Sequence, residues 1–590
     1  VTYELKVEGD KEEWQKTSIA SLIGGLNVLE RSDQIDPSES VTCRNVILKS
    51  GKVYQDTGYT TFGDAVVGTP QADYQFFKKN GTSELMLVTT ATVYRFSETV
   101  DQWQYVKGTA GTTTTAQANA GATSVTVNSI VGFSDNDRIG ITLDDGSQHK
   151  TAVNGAPAGS TITFDDAIPA GRNAPNGTAV VRAVVLTGDL DRTVIMDTVA
   201  SHDWFVFTNG VDIVKRYDGM DCVDVPNLPS SGNTICQALR VYNKALFLLN
   251  TTEGGTAHPQ RARRSDIGDP TNWTTGTAGF DDLFDDSDHI KAGEILGPYL
   301  IVYRDRSIER GQFIGSGGIN YHFESMIKGE GVPSSQCIVD MGDYHTFIGH
   351  SNIYDYRGTF DIEPLADDVH SKFFGPEADV NPIARKRIFA FFVEELNERW
   401  FFFPSTNSEN CDILLRNNIS EENFAERRFA HAFVGYGFYT KQETDDWASL
   451  VGDWAAQTWV WGTAALSADA PTTHLCSVGT QVYEYDYFHT TDAGAAISYV
   501  LETKDFLLPE AVFRFDSIEG YLRGSNVLIE YSTDGGENWN TLGTVNNTLN
   551  RRFAEFVQFV TDRVRFRFSG SDTQFMLSFF EFYWRWEAPR

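Results

Sequence analysis

The chain is poor in the residues that would staple it or carry it through a membrane. Its 590 residues include 6 cysteines and no CxxC pair, which removes the zinc-ribbon and dithiol redox motifs from consideration. Cys43, Cys222, Cys236, Cys337, Cys411 and Cys476 stand singly and read as buried free thiols of a chain folded in a reducing cytosol. No run of 18 apolar residues occurs, so no helical membrane span is expected. The opening VTYELKVEGDKEEWQKTS is charged throughout and lacks the apolar core of an export signal. Basic residues are also scarce: 48 Lys and Arg against 80 Asp and Glu give a formal charge of −32. Phosphate binding needs lysines and arginines, so sequence-independent attachment to nucleic acid or an anionic membrane is disfavoured. Neither G-x-S-x-G nor HExxH is present.

What the chain does have is aromatic residues, 13% of the total, and 51 glycines. Tyr, Phe, Val and Thr between glycine-rich turns mark an all-β protein, and this length implies two to four domains. A hairpin sentence recurs. SELMLVTTATVYRFSETVDQWQYV (83–106) is rewritten as HDWFVFTNGVDIVKRYDGMDCVDV (202–225) and as GDYHTFIGHSNIYDYRGTFDIEPL (342–365). GPYLIVYRDRSIERGQFIG (297–315) and HLCSVGTQVYEYDYF (474–488) are looser versions, and 243–273 and 399–417 align as divergent members. Each unit is an apolar strand, a turn of Asn, Gly, Asp or Ser, and an aromatic strand. About seven such units predict a β-propeller, with a long sandwich or a string of β-modules as the alternative.

Two segments break the rhythm. Residues 108–184 are rich in Thr, Ala and Gly and nearly free of bulky aromatics, which reads as a small β-domain inserted between the first two blades. From about 491 to 590, strands such as NVLIEYS and RVRFRFSG predict a compact β-sandwich. The expected organisation is therefore 1–63 as an N-terminal segment contributing strands and ring contacts, 64–107 with 186–490 as the propeller, 108–184 as the insert, and 491–590 as the sandwich.

Several motifs resemble functional sites. YSTDGGENW carries the S-x-D-x-G-x-x-W pattern of an Asp box at Ser532, Asp534, Gly536 and Trp539, known from sialidase propellers. Physically it is a hairpin turn: Ser532 and Asp534 satisfy turn amides, the glycines allow positive φ and Trp539 packs below. FDDLFDDSDH (Asp281, Asp282, Asp285, Asp286, Asp288) lacks the spacing of an EF-hand loop and reads as a solvated acidic loop. GSGGIN (315–320) is a turn, since no helix follows it. His345 and His350, five apart on an expected strand, face opposite sides. Glu394, Glu395 and Glu398 read as surface charge. The basic tracts RARR (261–264) and ARKR (384–387) read as solvated loops. No catalytic, cofactor-binding or metal-ligating residue is assigned, and the chain is not expected to be an enzyme.

GGLN (24–27) followed by CRNVILKSGKVYQDTGYTTFG resembles the N-terminal signature of the tail nozzle, or tail tubular, proteins of short-tailed phages. KGEGVPSSQCIVDMGDYHTFIGHSNIYDYRGTF (328–360) looks like a blade of those propellers, and the insert and the LETKDFLL…VLIEYSTDGGENW region are similar to modules of the same family. One departure is Asp56-Thr57-Gly58, where a basic residue often precedes the glycine. The resemblance implies a structural virion protein of the tail, assembled in the host cytoplasm. It would form a homo-oligomeric ring, usually a hexamer, below the portal and its adaptor, next to tail fibre or spike and tip-plug proteins. Duplex DNA would pass without specific binding. A propeller that binds or hydrolyses glycans is the other reading.

Overall fold

The computed structural model describes residues 13–285, 287–316, 319–376, 378–441, 471–485, 489–508, 511–571 and 574–589. The protein is all-β, with many small four-stranded antiparallel sheets resembling propeller blades and one large mixed sheet. Five of the small sheets are meanders, each strand pairing with the next in sequence. They run 70–105, 195–224, 234–282, 290–328 and 338–364. The hairpin units 83–106, 202–225 and 342–365 supply the second to fourth strands of their sheets, and 243–273 and 297–315 the second and third. In the first sheet SELMLVT, VYRFS and QWQY follow Pro70–Phe77, which those units left out.

Two more meander sets lie inside the large sheet. Phe389–Val393, Glu398–Pro404, Cys411–Asn418 and the start of Asn423–Tyr439 form one. The end of Asn423–Tyr439 then pairs with Thr472–Ser477, which pairs with Val482–Tyr485, which pairs with Tyr59–Phe62. A strand from the first 63 residues thus completes a sheet built from the far end of the chain.

Successive sheets pack through buried faces. Phe205 meets Phe76 and Tyr74 between the first two sheets, and Leu249 and Leu300 share a core between the next pair. The last set returns against the first. Gly435 and Gly437 let Asn423–Tyr439 lie so close to Pro70–Phe77 that a Cβ at 435 would sit 1.8 Å from the Gln71 carbonyl oxygen. No side chain fits there.

Residues 107–183 form their own four-stranded and two-stranded sheets around Val125, Ile139, Ile141, Ile162 and Phe164. This body rests on the first sheet, with the Tyr105 amide donating to Gln148 Oε1 at 2.6 Å and Lys150 paired with Asp64 at 2.5 Å. At the other end, both chain termini interleave. Gln15–Ile19 pairs with Met576–Pro589, and Glu39–Arg44 pairs with Tyr499–Thr503. The strand Ala511–Ser532 bends at Gly524 and Asn526, both of positive φ, and changes partner from Met576–Pro589 to Arg563–Gly570. Tyr531 therefore stacks on Phe559 across two layers, ring centroids 4.2 Å apart. All six cysteines are buried and unpaired.

Candidate functional site: the cavity among the inner strands

The first strands of successive small sheets converge on a cavity of about 620 Å³. Its polar lining comes from Asp73 and Gln75, Asp197, Arg240, Glu294, Gln336 and Tyr436. Arg240 forks onto Glu294, with Nε at 3.0 and 3.2 Å from the two carboxylate oxygens, and donates to the Met196 carbonyl at 3.1 Å. Asp197 accepts from the amides of Thr198 and Val241, both at 2.7 Å. Burial raises its pKa although Arg240 opposes the rise. Gln75 exchanges two 2.9 Å hydrogen bonds with the Thr440 backbone, and Gln336 donates to Val194 O at 2.9 Å. Asp73 pairs with His474, both fully buried. Burial pushes the Tyr436 phenol up to about 12.

These groups brace neighbouring sheets against one another. A glycosidase needs two carboxylates free to face one bond, whereas Asp73, Asp197 and Glu294 are each held by an internal donor. A histidine–carboxylate contact needs a nucleophile to become a triad, and His474 Nε2 has no hydrogen-bond partner. A second cavity of about 460 Å³ is lined by Arg192, His289, Lys291 and Lys386 together with Asp189 and Asp191.

The sequence candidates fall elsewhere, and several readings need correction. RARR and the first two aspartates of FDDLFDDSDH are not solvated loops. They are adjacent strands, Thr256–Arg264 and Gly279–Asp282, whose register sets Arg261 against Asp282 and Ala262 against Asp281. Arg261 grips Asp282 with two 2.8 Å bonds, Arg264 pairs with Asp281, and Arg263 pairs with Glu253 at 2.7 Å. Asp288 is bound by the buried Arg304 at 2.8 Å; Asp286 lies outside the described residues. In ARKR, Lys386 and Arg387 both bind Asp191 at 2.6 Å, and Arg385 donates to His350 O at 3.1 Å. GSGGIN joins two paired strands, with Gly317 and Gly318 outside the described residues.

His345 is on a strand, bonded to Tyr303 Oη at 2.9 Å, while His350 lies past its end and contacts Asp305 O at 2.7 Å. Glu398 is buried rather than surface charge; it accepts from Arg416 and from Trp400 Nε1. In the Asp box, Gly536 N donates to Ser532 Oγ at 2.9 Å, while Asn538 N, at 3.0 Å from Asp534 Oδ1, together with Ser532 Oγ and Asn538 Nδ2 holds the Asp534 carboxyl well below the usual range. Trp539 is only half-buried, its ring under the Arg567 guanidinium at 4.1 Å. Among the described residues no group of three His, Cys, Asp or Glu is arranged to hold a metal, and no helix is long and apolar enough to cross a membrane.

Sequence reasoning missed a buried charge network around Asp56. Arg416 bridges Asp56 (2.6 Å) and Glu398 (2.8 Å), while Arg427 reaches Asp56 (3.4 Å) and Asp492 (2.5 Å). Burial alone would raise Asp56, but Arg416 and Arg427 overcome it and hold the carboxyl below its ordinary range. Asp492 shares Arg427 with that first anion, and burial lifts it to about 6. Tyr485 Oη donates to Asp56 at 2.9 Å.

No protein-family model matches the sequence, and no curated protein does. Among solved structures, the chain is similar over 73% of its length to Chaetomium thermophilum Raptor, at 6% identity and a TM-score of 0.26, and spans 29% of that protein. It is similar to Kluyveromyces lactis Hsv2 (9% identity, TM-score 0.24, 61% of this chain and 97% of that one). It is also similar to PorZ of the Porphyromonas gingivalis type-IX secretion system (8%, 0.26, 90% and 87%). Scores this low leave function to be argued from the chain's own residues.

Proposed function

We propose that the chain is a structural subunit of the tail nozzle of a short-tailed phage, forming a ring of six below the portal and adaptor through which the genome leaves. Its fold in this reading is a seven-bladed propeller. The five separate meander sheets and the two meander sets in the large sheet are the blades, residues 108–184 are an inserted lobe, and the C-terminal strands form a sandwich woven with the N-terminal segment. Tail fibre or spike and tip-plug proteins are its neighbours.

The observation that carries the reading is where the basic residues go. Both basic tracts are spent on internal carboxylates: Arg261 on Asp282, Arg263 on Glu253, Arg264 on Asp281, Lys386 and Arg387 on Asp191. With 80 acids against 48 bases, little cationic surface remains to hold phosphates. Such a wall suits a conduit for a duplex, because each phosphate it leaves unneutralised adds no counterion-release affinity for the passing DNA. The cavity among the inner strands, about 620 Å³ and crossed by the Arg240–Glu294 bridge, is far too small for a duplex. The channel therefore runs between subunits.

The test has two arms. Mass measurement of the purified chain with a portal–adaptor complex should give a sixfold complex, and binding of the free chain to random duplex DNA at low salt should be negligible. Tight, salt-sensitive DNA binding, or a virion reconstruction that places the chain away from the central channel, overturns the proposal.

A further inference from the structure

The inner strands border two cavities of opposite character. Along Thr234–Tyr242, Gln237 lines the cavity of about 460 Å³ and Arg240 the one of about 620 Å³; along Ile290–Leu296 the division falls between Lys291 and Glu294. Ser335 borders both. The larger cavity sets Asp73, Asp197 and Glu294 against Arg240. The smaller sets Arg192, Lys291 and Lys386, with His289, against Asp189 and Asp191. In a chain with a formal charge of −32, an excess of fixed cations around one recess is a local reversal of sign.

These cations are not equally committed. Lys386 is held by Asp191 at 2.6 Å. Lys291 stands 3.6 Å from Asp305, a loose contact at a partly exposed position. Arg192 has no carboxylate partner among the described residues; its guanidinium donates through Nη1 to Gly210 O at 2.6 Å and keeps its other donors unused. The next residue, Thr193, also lines the recess. It is 8% exposed, and its Oγ1 has no hydrogen-bond partner among the described residues. A buried hydroxyl in that state costs free energy until something in the recess supplies a partner. Gln237 likewise makes no side-chain hydrogen bond among the described residues. Unused donors of three kinds, guanidinium, ammonium and hydroxyl, thus line one recess.

We propose that this recess binds a small phosphate monoester. Arg192 and Lys291 hold the dianion, Thr193 Oγ1 donates to one of its oxygens, and Gln237 and Asp189 take the hydroxyls of the attached polyol. A planar fork beside a point charge is a pairing suited to phosphate, which offers several strong acceptors in one group. The volume lies in the range of small-molecule sites and exceeds what a bare anion fills. Asp189 and Asp191 on the same lining repel a ligand that is acidic throughout, so one anionic end and a neutral, hydroxyl-bearing body fit best. A duplex cannot enter a recess of this size, so the site leaves the conduit argument as it stands and does not depend on the nozzle reading.

Titration calorimetry on the full chain at a fixed ionic strength of about 0.15 M tests the site with ribose 5-phosphate, ribose, inorganic phosphate and malonate, a dianion without phosphorus. Ribose 5-phosphate should bind saturably, about tenfold tighter than inorganic phosphate, and ribose should give no signal. Arg192→Gln should weaken binding about 10–100-fold and Lys291→Gln about tenfold. Lys386→Gln should change it by about twofold at most, since Asp191 already neutralises that ammonium. These three side chains reach solvent, so the variants should keep the wild-type unfolding midpoint. Thr193→Val removes the unpartnered hydroxyl and should weaken binding about fivefold with a midpoint no lower than wild type. No binding to the wild type, or equal losses from all three charge substitutions, as a diffuse positive field would give, overturns the site. An affinity unchanged in Thr193→Val overturns the role of the hydroxyl. Malonate bound as tightly as ribose 5-phosphate overturns the phosphate assignment, and inorganic phosphate bound as tightly overturns the monoester.

Discussion

Replacing Asp492 by Asn should stabilise the protein at neutral pH, although Asp492 sits in an ion pair. Arg427 is shared between two buried carboxylates, Asp56 and Asp492, and cannot neutralise both. Burial therefore lifts Asp492 from its ordinary 3.8 to about 6. The folded chain holds this proton longer than the unfolded chain does. The stability it contributes is fully present below the unfolded value and is lost as pH rises through about 6. At pH 7.5 the ionised group costs the folded state roughly 3 kcal/mol, and at pH 4.5 about 1 kcal/mol. Asn keeps an acceptor for Arg427 and removes the charge. Urea unfolding at both pH values should show Asp492→Asn more stable than wild type by about 3 kcal/mol at pH 7.5, shrinking to about 1 at pH 4.5. Asp56→Asn should do the opposite at neutral pH. Its carboxyl is held down by Arg416 and Arg427, so removing it strands buried charge at about 3–5 kcal/mol. A destabilised Asp492→Asn, or a gain equal at the two pH values, would refute this account of the network.

Other expectations are simpler to check. Gly435→Ala must displace the Gln71 carbonyl, 1.8 Å from the added methyl, and should lose at least about 1–3 kcal/mol by denaturant titration; an unchanged midpoint would mean the two inner strands can part freely. Asp534→Ala should lower the thermal midpoint slightly with no loss of any glycan-hydrolase activity, and Trp539→Ala, half-buried under Arg567, should cost only about 1 kcal/mol. Hydrolase activity abolished by Asp534→Ala would contradict the turn role. Joining residues 107 and 185 by a short Gly/Ser linker should leave a folded chain by circular dichroism and gel filtration, because the excised body has its own core; wholesale aggregation would count against a removable module.

The hairpin units were legible because strand, turn and aromatic strand are local, with a period of two visible within about twenty residues. The first strand of each sheet was overlooked, although Asn80-Gly81 after Pro70–Phe77 and Gly297-Pro298 after Ile290–Leu296 are the turn signals that tie each to the hairpin that follows. The ion pairs were beyond reach for a different reason. RARR and FDDLFDD look like two solvated loops until the register of Thr256–Arg264 against Gly279–Asp282 is known. Arg416 and Asp56 are 360 residues apart. The Asp-box pattern predicts Trp539 packed beneath its turn, but its ring meets the Arg567 guanidinium instead of a core.

The interleaving of the two chain ends has a consequence for how the molecule is made. Tyr59–Phe62 waits for Val482–Tyr485, and Gln15–Ile19 waits for Phe580–Trp584, so these strands stay unpaired until their distant partners have been made. Sheets such as 70–105 close from local contacts, whereas the seams close in a slow step of high contact order. Without Val482–Tyr485 the first seam stays open, and without Met576–Pro589 the second does. Closing both seams thus becomes a condition of covering these strand edges, which are exposed for pairing until then.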